Sequence, residues 1–253
     1  MTSLGRLADG VVDLFLPKRC VCCGRAGGWL CEACAPQLVP LPATVCARCG
    51  APLPRPRAVC LECRGRDLAF ASARAAYVYD GPARRLVTAC KFRALRSLAV
   101  EMAVLAQLPF ERTVAALGGV AGVELVTCVP VHRDRDLERG FDQAALLGRR
   151  LAEAAGLPFA SLLVRSRRGR RQSGLGAAAR AANVHEAFRL DDRMVDKAGR
   201  VRTVLVVDDV YTTGETLHAC SIALRHAGCE PHAFTFARAA RDFRFPTAAD
   251  RRE

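Results

Sequence analysis

Four apolar residues, Val204, Leu205, Val206 and Val207, run directly into two adjacent carboxylates, Asp208 and Asp209. A run this apolar reads as a short strand buried on both faces, which is the pattern of a parallel sheet inside an α/β domain. The two acids then fall where the strand leaves the sheet at its carboxyl end, where open α/β sheets bind their ligands. The plainer alternative is that they cap the following helix, whose apolar face is marked by Leu217, Ser221 and Leu224.

Thr212, Thr213, Gly214 and Thr216 form a turn of small residues between that strand and that helix. Backbone N–H groups at a helix start attract phosphate. Gly214 lets the chain take positive φ or approach a ligand closely, and the threonine hydroxyls add donors. The aspartates cannot hold a phosphate, but they can accept hydroxyl protons. A phosphate next to a vicinal diol describes ribose 5-phosphate.

With its hydrophobic strand, Asp-Asp and Thr-Thr-Gly-x-Thr, segment 204–216 resembles the phosphoribosyl pyrophosphate (PRPP) motif of type I phosphoribosyltransferases. The resemblance implies catalytic roles for Asp208 and Asp209 on the ribose. It also implies PRPP binding by Val210, Tyr211, Thr212, Thr213, Gly214, Glu215 and Thr216. The family's pyrophosphate loop follows an earlier strand. Here that strand is ELVTCVPV, 124–131, and its loop would offer Val131, His132 and Arg133, with Arg135 and Arg139 in reach, since arginine forks suit phosphate oxygens.

Eight of the thirteen cysteines stand in four CxxC pairs: Cys20 and Cys23, Cys31 and Cys34, Cys46 and Cys49, Cys60 and Cys63. In a chain without a recognisable export signal, such cysteines point to metal rather than to disulfides. The order CxxCG then CxxC occurs twice, so the region reads as a duplicated zinc ribbon with two structural Zn²⁺ ions, each in a tetrahedral sulfur set. Sequential pairing puts the first four ligands on one ion and the last four on the other; interleaved pairing remains open. A redox role for the CxxC pairs lacks the thioredoxin-like βαβ context. Cys22 is surplus, and Cys90, Cys128, Cys220 and Cys229 lie in apolar segments where cysteine serves as a small hydrophobe.

The 253 residues, 51% hydrophobic, suffice for one medium domain and one small one. No apolar run reaches the length of a membrane span, and Asp9 and Asp13 interrupt the N-terminal segment, whose Leu4, Leu7, Val11 and Leu14 suggest an amphipathic helix. A cytoplasmic location is expected. The net charge of +13 favours acidic partners, although an arginine- and alanine-rich composition also arises from coding bias. Lysine occurs only at Lys18, Lys91 and Lys197.

After the cysteines, Ala73 to Tyr79 reads as a strand, YDGPARRLVTACKF as a turn and helix ending near Lys91, residues 95–108 as a second helix, and Gly118-Gly119 as a loop. HRDRDLERGFDQ follows the strand at 124–131, and AALLGRRLAEAAG reads as the next helix. Segment 164–188, rich in Arg, Gly and Ser, reads as a mobile loop, and the resemblance to type I phosphoribosyltransferases implies here a flexible loop that could close over PRPP. Taken together, the double ribbon, YDGPARRLVTACKF, VPVHRDRDLERGFDQA, RRQSGL with Arg180 and Asn183-Val184, and the PRPP motif are similar to the ComF family. Asp142 stands where that family usually has Asn, and His132 where Pro is usual.

The resemblance implies a type I phosphoribosyltransferase-like α/β fold, a parallel sheet flanked by helices behind a double zinc ribbon with four cysteines per ion. The expected division is an N-terminal helix (1–18), the ribbon (19–70), the transferase-like domain (71–242) and a tail (243–253). It further implies Mg²⁺ with PRPP, Lys91 and Arg139 on the leaving group, and a closing loop carrying Arg167, Arg168, Arg170, Arg171, Gln172 and Arg180. Its association with DNA uptake adds single-stranded DNA and the uptake machinery as partners. Three functions are compatible with this: a phosphoribosyltransferase, a single-stranded-DNA-binding competence factor, and a PRPP sensor without turnover.

Overall fold

The computed structural model describes residues 18–55, 59–93, 95–131, 141–165 and 187–239. The expected N-terminal helix and C-terminal tail, and within the candidate site His132, Arg133, Arg135, Arg139, Arg167, Arg168, Arg170, Arg171, Gln172 and Arg180, lie outside them. The described elements are β1 (Ala73–Val78), α1 (Gly81–Arg93), α2 (Arg96–Ala116), β2 (Leu125–Cys128), α3 (Gln143–Ala154), β3 (Leu163–Arg165), β4 (Phe188–Leu190), α4 (Val195–Ala198), β5 (Thr203–Tyr211), α5 (Glu215–His226) and β6 (Glu230–Arg238).

Four strands form one sheet in the order β1-β6-β5-β2, and every pairing in it is parallel. The apolar run of β5 is buried on both faces, as its composition requires. Leu205 and Val207 join a core with Leu86, Met102, Phe110 and Leu147 from α1, α2 and α3. Val204 and Val206 join the opposite core with Leu217 and Leu224 of α5. A side chain of this size contributes about 1.5–3 kcal/mol on full burial, so a polar substitution within 204–207 would damage both layers.

The acids do not end the strand. β5 continues through Asp208 and Asp209 to Tyr211 because β6 pairs with it to the last residue, Val210 opposite Ala237 and Tyr211 opposite Arg238. β2 stops earlier, with Cys128 opposite Val207. Asp208 and Asp209 therefore extend past the end of one neighbouring strand while still held by the other. That is a crevice at the carboxyl end of the sheet. The acids are not helix caps either, since the N-cap of α5 is Gly214.

The second helix runs beyond residue 108, through Pro109 to Ala116. A proline in a helix interior leaves the carbonyl four residues earlier without its donor. That carbonyl belongs to Leu105, and the Tyr77 hydroxyl of β1 donates to it at 2.6 Å. The tertiary bond replaces the missing helical one, so the helix survives and is tied to the sheet. The two ends of the Arg/Gly/Ser segment pair as an antiparallel ribbon, Leu163 opposite Leu190 and Arg165 opposite Phe188.

The cysteine region is stitched onto the free edge of β1. Val78 N donates to Val39 O at 2.8 Å, Leu41 N to Ala76 O at 3.1 Å and Ala73 N to Arg48 O at 2.7 Å. Gly50 sits at φ +68 where a Cβ would lie 2.5 Å from the Ala73 carbonyl, so only glycine allows this close approach. Covering an edge strand also removes a template for aggregation.

The thiols gather in the sequential sets, Cys20, Cys23, Cys31 and Cys34, and Cys46, Cys49, Cys60 and Cys63, with the sulfurs of each within 4.8 Å of one another. Thiolates around zinc, at a Zn–S bond of about 2.3 Å, stand roughly 3.8 Å apart in a tetrahedron. Cys23 Sγ and Cys31 Sγ lie 3.5 Å apart, and Cys49 Sγ and Cys60 Sγ 3.6 Å. Both sets fit zinc, and neither is interleaved. Cys90, Cys128, Cys220 and Cys229 are buried as small apolar groups. Among the described residues no helix is long and apolar enough to cross a membrane.

Metal analysis of protein purified without added zinc should find two zinc ions per chain. A chelator strong enough to remove them should unfold the cysteine region, because zinc contributes on the order of 10 kcal/mol to such folds. Zinc-free folded protein, or disulfides in these positions, would contradict both sets.

Candidate functional site

Asp209 is 8% exposed, and a carboxylate buried to this degree requires partners. It has two. Lys91 Nζ, from the last turn of α1, donates to Oδ1 at 2.8 Å, and Gln143 Nε2, from the first turn of α3, donates to Oδ2 at 2.7 Å. The three side chains come from three elements, so the crevice floor is assembled only in the folded chain. Gln143 Oε1 is buried without a partner and adds an acceptor to this floor.

Asp208 is held differently. Its Oδ1 accepts the Asp209 backbone N–H at 2.8 Å. Burial, then the neighbouring Asp209 charge, push its carboxyl up to about 8, so at neutral pH it keeps its proton. The pair thus offers a neutral acid, able to donate, beside an ion-paired carboxylate able to accept. A hydroxyl both donates and accepts, so it can bind to either partner.

The turn after β5 begins on a buried ring. Tyr211 is 3% exposed and burial pushes its hydroxyl up to about 12. Gly214, the N-cap of α5, takes φ +82 over this ring, and a Cβ there would lie 2.7 Å from Tyr211 Cζ. Thr212, Thr213 and Thr216 are exposed around it. This presents a helix N-terminus with hydroxyl donors to solvent, the arrangement that binds a phosphate monoester. Glu215 faces Arg66 instead, at 2.5 Å, and Val210 packs partly buried on the core.

Of the earlier loop, Val131 is described, and its N–H approaches Asp142 Oδ2 at 3.5 Å. Asp142 also N-caps α3, Oδ1 accepting from Ala145 N at 2.8 Å. Asn performs this capping role equally well. Lys91 is at the site, paired with Asp209 and partly exposed to the crevice. Sequence reasoning missed Gln143, although its place beside Asp142 at a helix start after a buried strand pointed toward the crevice. Arg66 and Arg238, which reach the turn from the ribbon and from the end of β6, carried no local sequence signal.

The parallel sheet flanked by helices and the two four-cysteine sets define an α/β protein with an N-terminal double zinc ribbon. Residues 11–64 match the double zinc ribbon domain family. The chain is 29% identical over 221 residues to competence protein F of Haemophilus influenzae, covering 85% of this chain and 94% of that protein. It is 28% identical over 205 residues to competence protein ComFC of Bacillus subtilis, covering 79% of each. These likenesses are to competence proteins and extend over most of this chain. Among solved structures, glutamine PRPP amidotransferase of B. subtilis, complexed with ADP and GMP, aligns at 24% identity and a TM-score of 0.30. That alignment covers 44% of this chain and 21% of the amidotransferase.

The raised Asp208 carboxyl has a signed consequence for stability. The folded chain holds a proton there up to about pH 8, whereas an unfolded aspartate releases it at about 3.9. Between these limits the folded state binds more protons, so this group makes stability fall as pH rises. Thermal melting of wild type and Asp208→Asn should therefore diverge between pH 5 and pH 8, the variant becoming relatively more stable toward pH 8. Parallel curves would mean that Asp208 is ionised throughout.

Proposed function

We propose that this protein binds Mg²⁺-PRPP and transfers its phosphoribosyl group to a nucleophile with release of pyrophosphate. The observation that carries this reading is the position of Asp208 and Asp209 beyond the end of β2, immediately ahead of the Tyr211–Gly214 phosphate turn. The spacing suits a ribose bearing a 5-phosphate.

In this reading the 212–216 turn takes the 5-phosphate on backbone N–H groups and threonine hydroxyls. Asp209 accepts from one ribose hydroxyl and protonated Asp208 engages the other. Lys91 and Gln143 fix the Asp209 carboxylate, so no reorganisation is needed when the sugar docks. Mg²⁺, when bound with PRPP, would neutralise pyrophosphate oxygens while keeping several waters. Bond cleavage between C1 and the pyrophosphate oxygen would leave positive charge on the sugar, which the carboxylate paired with Lys91 would attract. A lone pair of the nucleophile then closes the new bond at C1, and its proton leaves to solvent or pyrophosphate.

Asp208→Asn with Asp209→Asn should abolish Mg²⁺-PRPP binding in calorimetry while circular dichroism and zinc content stay unchanged. Equal affinity in the variant would remove the acids from the site. Pyrophosphate release with a panel of amines and bases separates turnover from PRPP sensing: binding without release from any of them would leave a sensor.

A second reading is single-stranded DNA binding, in keeping with the competence named in both relatives. Phe92 is 83% exposed at the end of α1, beside an open cavity lined by Arg84, Arg85, Thr88 and Val21 of the first ribbon. An exposed ring among arginines supplies base stacking and phosphate contacts. Log affinity should fall with log salt at roughly −0.7 per neutralised phosphate. Arg84→Ala with Arg85→Ala should flatten that slope, and Phe92→Ala should weaken binding at all salt concentrations. Salt-independent binding would exclude this surface.

A further inference from the structure

The two four-cysteine sets are unlike in their surroundings. In the first, Cys23 is exposed and Cys31 half-buried, and Arg85 Nη1 of α1 donates to the Cys22 carbonyl at 2.7 Å. In the second, all four cysteines are buried and share one apolar cluster with Tyr211, Leu217 and Val206. The second set is therefore continuous with the packing behind the phosphate turn.

Arg238, the last residue of β6, stands between them at 3% exposure. Its Nη2 donates to Cys49 Sγ at 3.4 Å, and its Cζ lies 3.8 Å from the centroid of the Tyr211 ring. Nε and Nη1 are buried without a hydrogen-bond partner. A buried guanidinium so placed needs a counter-charge, and four thiolates around Zn²⁺ form a net dianion. The ring on which Arg238 stacks is the one over which Gly214 turns.

The ribbon also reaches the turn from outside. Arg66, three residues past Cys63, donates from both Nη atoms to the Thr213 carbonyl at 3.3 Å and pairs with Glu215. Ala69 N donates to His218 Nδ1 at 2.9 Å in the first turn of α5. The turn is thus supported below by Arg238 and Tyr211 and at its rim by Arg66.

We propose that the second four-cysteine centre, acting through Arg238 and Arg66, fixes the conformation of the 212–216 turn, so that Arg238 is a positioning residue for the sugar-phosphate site. The assignment of a ligand to that turn rests on the function proposed above; the mechanical coupling does not. The first centre has no part in it. One metal site then serves the crevice, and the other serves the α1 face.

The test uses full-length chains carrying Arg238→Met, Arg66→Ala or Cys23→Ser, with three readouts: zinc per chain, amide hydrogen exchange across 211–217 without ligand, and Mg²⁺-PRPP affinity. Arg238→Met should keep its zinc yet speed exchange in 211–217 by about tenfold or more, since a hydrogen bond to a charged group is worth about 1.5–3 kcal/mol. PRPP affinity should fall by a similar factor. Arg66→Ala should act in the same direction with a smaller effect. Cys23→Ser should lose one zinc and leave exchange in 211–217 unchanged. Unchanged exchange in Arg238→Met overturns the proposal, as does equal loosening by Cys23→Ser. If Arg238→Met does not fold, Arg66→Ala decides, and unchanged exchange there is equally fatal. If wild type fails to bind PRPP, the functional reading falls while the exchange results still judge the coupling.

Discussion

The pairing of β5 with β6 outlasts the pairing of β5 with β2, and the site depends on that difference. Hydrogen bonds from one side keep the backbone of residues 208–211 extended, while the absence of a β2 partner opposite them opens the crevice. Were β2 as long as β6, the acids would face another strand. Were β6 as short as β2, Tyr211 and Arg238 would not be held opposite one another, and the turn would lose its floor. The crevice at the carboxyl end of this parallel sheet is a matter of unequal strand lengths.

Much of this was legible from local sequence. Val204 to Val207 announced a doubly buried strand because both faces must be apolar in a covered sheet. The CxxC pairs announced the metal sets because thiolate spacing is a local property. What could not be read was the reach of β5, since Asp208 and Asp209 are poor strand formers retained only by the β6 ladder. Pro109 misled in the same manner: propensity ends a helix there, and a hydroxyl from another strand overrides it. Gln143, Arg66 and Arg238 act across the chain, and their partners lie too far away in sequence for periodicity to show.

Charge organises the site more than shape does. Asp209 is balanced by Lys91, burial beside Asp209 raises the Asp208 carboxyl, and Arg238 is placed against a cysteine sulfur instead of competing for the aspartates. Each cation has an anion that it meets in the folded chain alone. A basic protein with little lysine thus places one of its three lysines on the buried carboxylate, where a compact ammonium donates a single bond and leaves Oδ2 to Gln143.

The bond from Tyr77 to Leu105 makes two distant positions answerable to each other. With proline at 109 the hydroxyl fills a gap in the helix ladder; with any other residue there, the ladder closes itself and the hydroxyl meets a carbonyl already engaged. A lineage that loses Pro109 is freed to exchange Tyr77 for phenylalanine, whereas one that loses the hydroxyl first strands a carbonyl in the interior. The order of substitution is therefore directional, and the pair should drift together: tyrosine retained wherever the proline is, and relaxed only after it has gone.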